Sequence, residues 1–195
     1  MLRLNEDLVE RLQFGKSCYQ LNLSFDNVLT AYDALRDKEL NVTDKLEVYL
    51  SFLIIGPLPR KRIWVELYNL IDQLLFSRNS TAKKVDLNGN PMPRPKQKPD
   101  FDFSFDASLI FAAFWQTYQI DLLKERGKLH WFKFIAMLDG LPEDTRFCYI
   151  RQIRATDLAE IKDKEQKKTI RKQKQLFALP GLDEGGGEED GGWDS

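Results

Sequence analysis

The chain has 195 residues with 29 basic and 30 acidic side chains, a formal net charge of −1, so no summed field draws it to nucleic acid or to an anionic membrane surface. At 43% hydrophobic and 12% aromatic, with thirteen Phe, the composition excludes a wholly disordered chain. A globule of this length buries roughly 70% of its unfolded surface, so a real core is expected.

Residues 12–23 alternate around Gly15, Lys16 and Ser17, with Leu12 and Phe14 on one arm and Tyr19, Leu21 and Leu23 on the other, which predicts a short β-hairpin. Such a hairpin needs helices to cover its apolar face. Ser24 or Asp26 is placed to cap a first helix carrying Val28, Leu29, Tyr32 and Leu35, and Thr43 a second carrying Leu46, Tyr49, Leu50 and Leu53, stopped by Gly56 and Pro57. A third is predicted over 59–77, where Ile63, Trp64, Leu67, Ile71, Leu74 and Leu75 make a broad apolar face.

Between 78 and 100 the pattern gives way to Asn, Ser, Lys and prolines at 91, 93, 95 and 99, the composition of an exposed linker. Structure resumes with a helix capped by Ser104 or Asp106 and running to about Leu123, apolar around most of its circumference and so expected to be buried on several sides. A helix over 128–139 stops at Gly140, and Pro142, Glu143 and Asp144 open the next, with Phe147, Ile150 and Ile153 inward. Residues 157–177 read as a charged helix that projects from the domain, with an Asp157/Glu160 capping pair and i, i+4 charge pairs. From 178 to 195 lies a tail expected to be disordered; its part after Pro180 holds six acidic residues, six glycines and one Trp. The fold class is therefore mainly α: one helical domain over 1–177 with a small N-terminal hairpin, a Pro-rich linker and an acidic tail.

The residues offer little chemistry. Cys18 and Cys148, without a CxxC or a Cys/His cluster, are expected to be buried free thiols in a reducing compartment. The one histidine, His130, is expected to pack or cap, and the pairs Asp102/Asp106 and Glu143/Asp144 stand where helix starts favour acidic side chains. No phosphate-binding glycine loop and no HExxH occurs, so no catalytic, cofactor-binding or metal site is expected and the protein reads as a binder, not an enzyme. The longest apolar run, 109–115, is seven residues, far short of the roughly 18 of a membrane span. The start of the chain is charged within its first seven residues, so a secretory signal is not expected.

Two groups remain as candidate partner surfaces. The aromatic cluster Phe111, Phe114, Trp115, Trp131, Phe132 and Phe134 is either core or, in part, an interaction hot spot. The basic group Lys162, Lys164, Lys167, Lys168, Arg171, Lys172 and Lys174 is either a solvated helix face or an anionic contact; acidic residues interrupt it, so nucleic acid is not expected as the partner.

Several segments together resemble the "Gp-fifteen" family of tailed-phage proteins: Phe101 to Ala107, Ile110 to Phe114, Tyr118 to Leu122, Leu129 to Phe134, Leu138 to Thr145 and Ile150 to Arg154, with Leu21 to Leu29 as an opening motif. The spacing of His130 and Trp131 ahead of Asp139, Gly140, Leu141 and Pro142 is the most specific element. The resemblance implies a protein encoded beside the tube and tape-measure genes of siphophages. The expected function is that of a tail-assembly chaperone that binds the tape-measure protein in the host cytoplasm and is absent from the mature virion, with self-association left open. The residues singled out for the contact are Phe114, Trp115, Trp131, Phe132, Lys167, Lys168 and Arg171. The alternatives are a structural tail or connector component of the virion and a nucleic-acid-binding regulator that uses the basic helix.

Overall fold

The computed structural model describes residues 4–76 and 99–180. The predicted linker, apart from Pro99 and Asp100, and the acidic tail beyond Pro180 lie outside the described residues. The architecture is mainly α with a small antiparallel sheet, and the chain divides into two compact units: Met1–Lys96 with Phe111–Leu141, and Gln97–Ile110 with Pro142–Ser195.

The first unit opens with the hairpin, β1 (Arg11–Phe14) paired with β2 (Ser17–Leu21), Leu12 opposite Tyr19. Gly15 has φ +57 and takes the first turn position, where hairpin twist favours glycine. A third strand, β3 (Ile54–Ile55), adds to β2 with Leu21 opposite Ile54; the helical reading of Leu53 and Gly56 hid this two-residue strand of β-branched side chains. Cys18 is exposed and Cys148 half-buried, neither in a disulfide among the described residues, so the expectation of buried thiols is corrected: Cys18 pairs with Gln13 on a strand whose neighbours Ser17 and Gln20 are also exposed.

Three helices pack in series: α1 (Phe25–Arg36) on α2 (Val42–Leu53), and α2 on α3 (Trp64–Phe76), with a short 3-10 turn at Lys61–Ile63 before α3. The cap of α2 is Asn41, whose side chain accepts from the Asp44 amide at 3.0 Å, two residues before the predicted Thr43. Ser24 holds the N-cap position of α1, yet its hydroxyl is buried, makes no capping bond and has no partner among the described residues. Asp26, the other predicted cap, instead reaches the amide of Gly127 at 2.8 Å.

Helix α4 (Ala107–Tyr118) stops five residues short of Leu123 because Gln119 turns left-handed at φ +56, and Asp121 then organises a turn by accepting from the Leu123 amide at 3.1 Å. Its burial is also narrower than predicted: Ile110, Ala113 and Phe114 face inward, while Ser108, Ala112, Trp115 and Gln116 face solvent. Helix α5 (Trp131–Asp139) packs on α1 and ends at Gly140, where a Cβ would lie 3.3 Å from both the Tyr118 hydroxyl and the Ala136 carbonyl.

In the second unit α6 (Arg146–Ala155) starts from Thr145, which accepts from the Cys148 amide at 3.3 Å; the Pro142 to Asp144 segment forms the turn before it. Helix α7 (Lys164–Leu176) begins later than predicted. Asp163 is its cap, accepting from Gln166 at 2.7 Å, and Asp157 closes a separate turn by accepting from Ala159 at 2.8 Å. The expectation that this helix projects is corrected as well. It packs on α6, tied by Lys174 to the Thr156 carbonyl at 2.7 Å and by Gln173 to the Tyr149 hydroxyl at 3.0 Å. Leu179, inside the stretch predicted to be disordered, is buried.

Candidate functional site

The buried aromatic side chains, Phe147 apart, lie in the first unit. A continuous series of ring contacts runs Tyr68, Tyr49, Tyr32, Phe76, Trp131, Phe134, with centroid separations of 5.1, 5.5, 4.8, 5.8 and 5.7 Å. Phe134 then stacks on both Phe25 and Phe114, at 4.9 and 5.3 Å. Offset and edge-to-face pairs of this kind add roughly 0.5–1.5 kcal/mol each beyond the area they bury.

At the polar end of this series the Tyr32 hydroxyl donates to Asp72 and lies 3.5 Å from the Tyr49 hydroxyl. Burial pushes both phenols well above their ordinary value near 10, and the neighbouring Asp72 adds to the effect. Both hydroxyls therefore stay protonated at neutral pH, and the cluster ties α1, α2 and α3 together as a neutral donor set against one carboxylate.

His130 closes the other end. Antiparallel backbone pairing joins it to Ser24, with Phe25 N–H donating to the Leu129 carbonyl at 2.9 Å and Trp131 N–H to the Leu23 carbonyl at 2.7 Å. Its Nδ1 accepts from the Phe132 amide at 3.2 Å as the N-cap of α5, which leaves Nε2–H to donate to the Val9 carbonyl at 3.2 Å. The Nδ1 contact needs the neutral ring, whereas the Nε2–H contact is open to either form. Burial holds its pKa below the ordinary 6.5; Lys133 adds to this, while the Val9 carbonyl and Glu10 oppose it. A depressed folded pKa means that stability is full above the unfolded value and is lost as pH falls toward the folded one. Urea midpoints of the wild type should therefore decline as pH falls below about 6.5. His130→Asn, which keeps a cap acceptor and does not titrate, should flatten that part of the profile. An unchanged profile in the variant would remove His130 from the acid response.

The residues predicted for partner contact separate sharply. Phe114, Trp131 and Phe132 are core side chains, and Phe134 with them. Trp115 is 49% exposed, on the solvent face of α4 with Ala112 and Gln116. The α4 terminus behind it is held by Gln119, whose backbone N–H and side-chain Nε2 both donate to the Trp115 carbonyl at 3.0 Å. Further apolar side chains are exposed in the same unit at Phe52, Ile55 and Val65, which sequence periodicity had not marked.

In the second unit Lys168 and Arg171 are exposed on α7, whereas Lys167 is half-buried on the side facing α6 along with Ile170 and Gln173. What fixes this unit was missed from sequence. Asp106, 1% exposed, accepts from Arg154 Nη1 at 2.7 Å and Nη2 at 3.0 Å, and from the Asp102 amide at 3.0 Å. Arg154 Nε also donates to the Phe177 carbonyl at 2.6 Å. Beside it Arg151 pairs with Asp100 at 2.7 Å and lies over the rings of Phe101 and Phe147 at 4.7 and 5.4 Å. The i, i+3 spacing of the two arginines on one helix face was the available signal.

Among the described residues no helix is long and apolar enough to cross a membrane, and no three His, Cys, Asp or Glu side chains cluster so as to hold a metal ion. No curated protein and no solved structure matches the chain. Residues 4–179 match the family described as bacteriophage Gp15 protein. That span takes in both the aromatic first unit and the Arg154 clamp, ending at the buried Leu179, and the chain belongs to the bacteriophage Gp15 family.

Proposed function

We propose that this phage protein is a tail-assembly chaperone that binds the tape-measure protein in the host cytoplasm and keeps it soluble while the tail tube forms. The observation that carries the reading is Trp115. In a unit that buries Trp131, Phe114, Phe132 and Phe134, this ring stands half in water, where covering it would release on the order of 1.5–3 kcal/mol. A rigid aromatic kept at a surface is the side chain that most often anchors a protein partner. A long apolar tape measure supplies such a partner, and the phage family supplies the setting.

The test is co-expression of the tagged protein with the tape-measure product, followed by pull-down and sizing. A soluble complex is expected from the wild type. Trp115→Ala should weaken it at least tenfold, about 1.4 kcal/mol, while changing the stability of the free protein by about 1 kcal/mol or less. No recoverable complex, or full binding by the variant, sinks the reading or the anchor respectively. Mass spectrometry of purified particles distinguishes the alternative, a structural tail or connector component, which would be present in them.

A further inference from the structure

Helix α7 carries a charge pattern that its packing leaves unanswered. Lys167, Ile170, Gln173 and Lys174 lie toward α6, and on the opposite side Lys164, Lys168 and Lys172 recur at i, i+4 and i+8 with Arg171 beside them, all four exposed. They form a stripe about 12 Å long. None of the four forms an ion pair among the described residues. Four like charges along one face repel one another, so a stripe of this kind gains from a counter-anion.

The chain supplies one close by. Leu179, buried beyond the end of α7, fixes the point from which the segment after Pro180 departs, and this segment holds Asp183, Glu184, Glu188, Glu189, Asp190 and Asp194 with no basic residue. Fifteen residues reach at most about 50 Å, more than twice the roughly 20 Å length of α7. Tethering a few residues from the stripe gives an effective concentration in the millimolar range, which no free polyanion in dilute solution matches.

We propose that the Lys164, Lys168, Arg171 and Lys172 face is the docking surface for the chain's own acidic segment 183–190, which competes there with outside polyanions. The contact is one of exposed charges, so it weakens as salt shortens the screening length below about 10 Å.

The full-length protein tests this in two ways. Zero-length carbodiimide coupling, which joins a carboxylate to a lysine amine with loss of water, should link Glu188, Glu189 or Asp190 to Lys164, Lys168 or Lys172 within one chain. That coupling should be lost in about 0.5 M salt, inside whose screening length exposed pairs no longer attract. Coupling confined to other lysines, or insensitive to salt, overturns the proposal. In the second test a labelled 20-base-pair DNA duplex serves as a polyanion probe at low salt. Glu188→Gln/Glu189→Gln/Asp190→Asn should bind it at least tenfold more tightly than the wild type, and adding Lys168→Glu/Lys172→Glu should cancel the gain. Equal binding by wild type and neutralised chain would show that the stripe is not occupied from within, and binding by both would identify it as an open phosphate-contacting face instead.

Discussion

Trp131→Ala should unfold the first unit more readily than any other single aromatic truncation, at a cost of about 3–5 kcal/mol. The ring is 1% exposed and contacts Phe76 and Phe134, so its removal breaks the aromatic series between the hydroxyl cluster on α1 to α3 and the stacked rings around Phe134. It also removes a tertiary cap. Trp131 Nε1–H donates to the Leu75 carbonyl at 3.4 Å, and Leu75 is the next-to-last residue of α3, where carbonyls lack partners within the helix. Trp131→Phe separates the two contributions: it keeps most of the volume and loses the donor, for an expected cost of roughly 1–2 kcal/mol. Urea midpoints read at the aromatic near-ultraviolet signal measure both. A Trp131→Ala midpoint equal to that of the wild type would show that the cavity collapses without loss.

The same residue shows how far the fold was legible in sequence. Helical spacing around Trp64 to Leu75 and Trp131 to Leu138 located the helices, because an apolar stripe is a local signal. The identity of the core was harder. Trp115 and Trp131 look alike in a sequence, each in an aromatic run, and only the registration of α4 and α5 puts one in water and the other in the interior. Short-range polar contacts decided several boundaries that periodicity does not see: Asn41 displacing Thr43 as a cap, Asp163 displacing Asp157, and Gln119 ending α4. Asp106 was placed correctly at a helix start, but its buried partner lies 48 residues away and no local pattern announces it. Most segments that carry the family resemblance prove to be structural: His130 caps, Trp131 fills the core, Gly140 admits the Tyr118 hydroxyl, and Asp106 holds Arg154. They identify the fold well, and they leave the exposed Trp115 and the α7 stripe to be found from the structure.

Breaking the Asp106–Arg154 pair should be as damaging to the second unit as Trp131→Ala is to the first. Arg154 is 8% exposed and its guanidinium serves three segments at once: Asp106 before α4, the Asp100 carbonyl at 3.2 Å and the Phe177 carbonyl after α7. Asp106→Ala strands the guanidinium with two carbonyls, and Arg154→Met strands a buried carboxylate, each at about 3–5 kcal/mol. Asp106→Ala/Arg154→Met, with both charges gone, should cost far less than the sum of the singles, because most of each single penalty is the orphaned charge and not the lost attraction. Urea unfolding of the four species closes the cycle, and hydrogen exchange at Phe177 and Ala178 reports whether the end of α7 is released with Arg154. Additive costs across the cycle, with no change in exchange, would reduce the clamp to two independent surface-like contacts and leave the packing of α6 on α7 to the tie from Lys174.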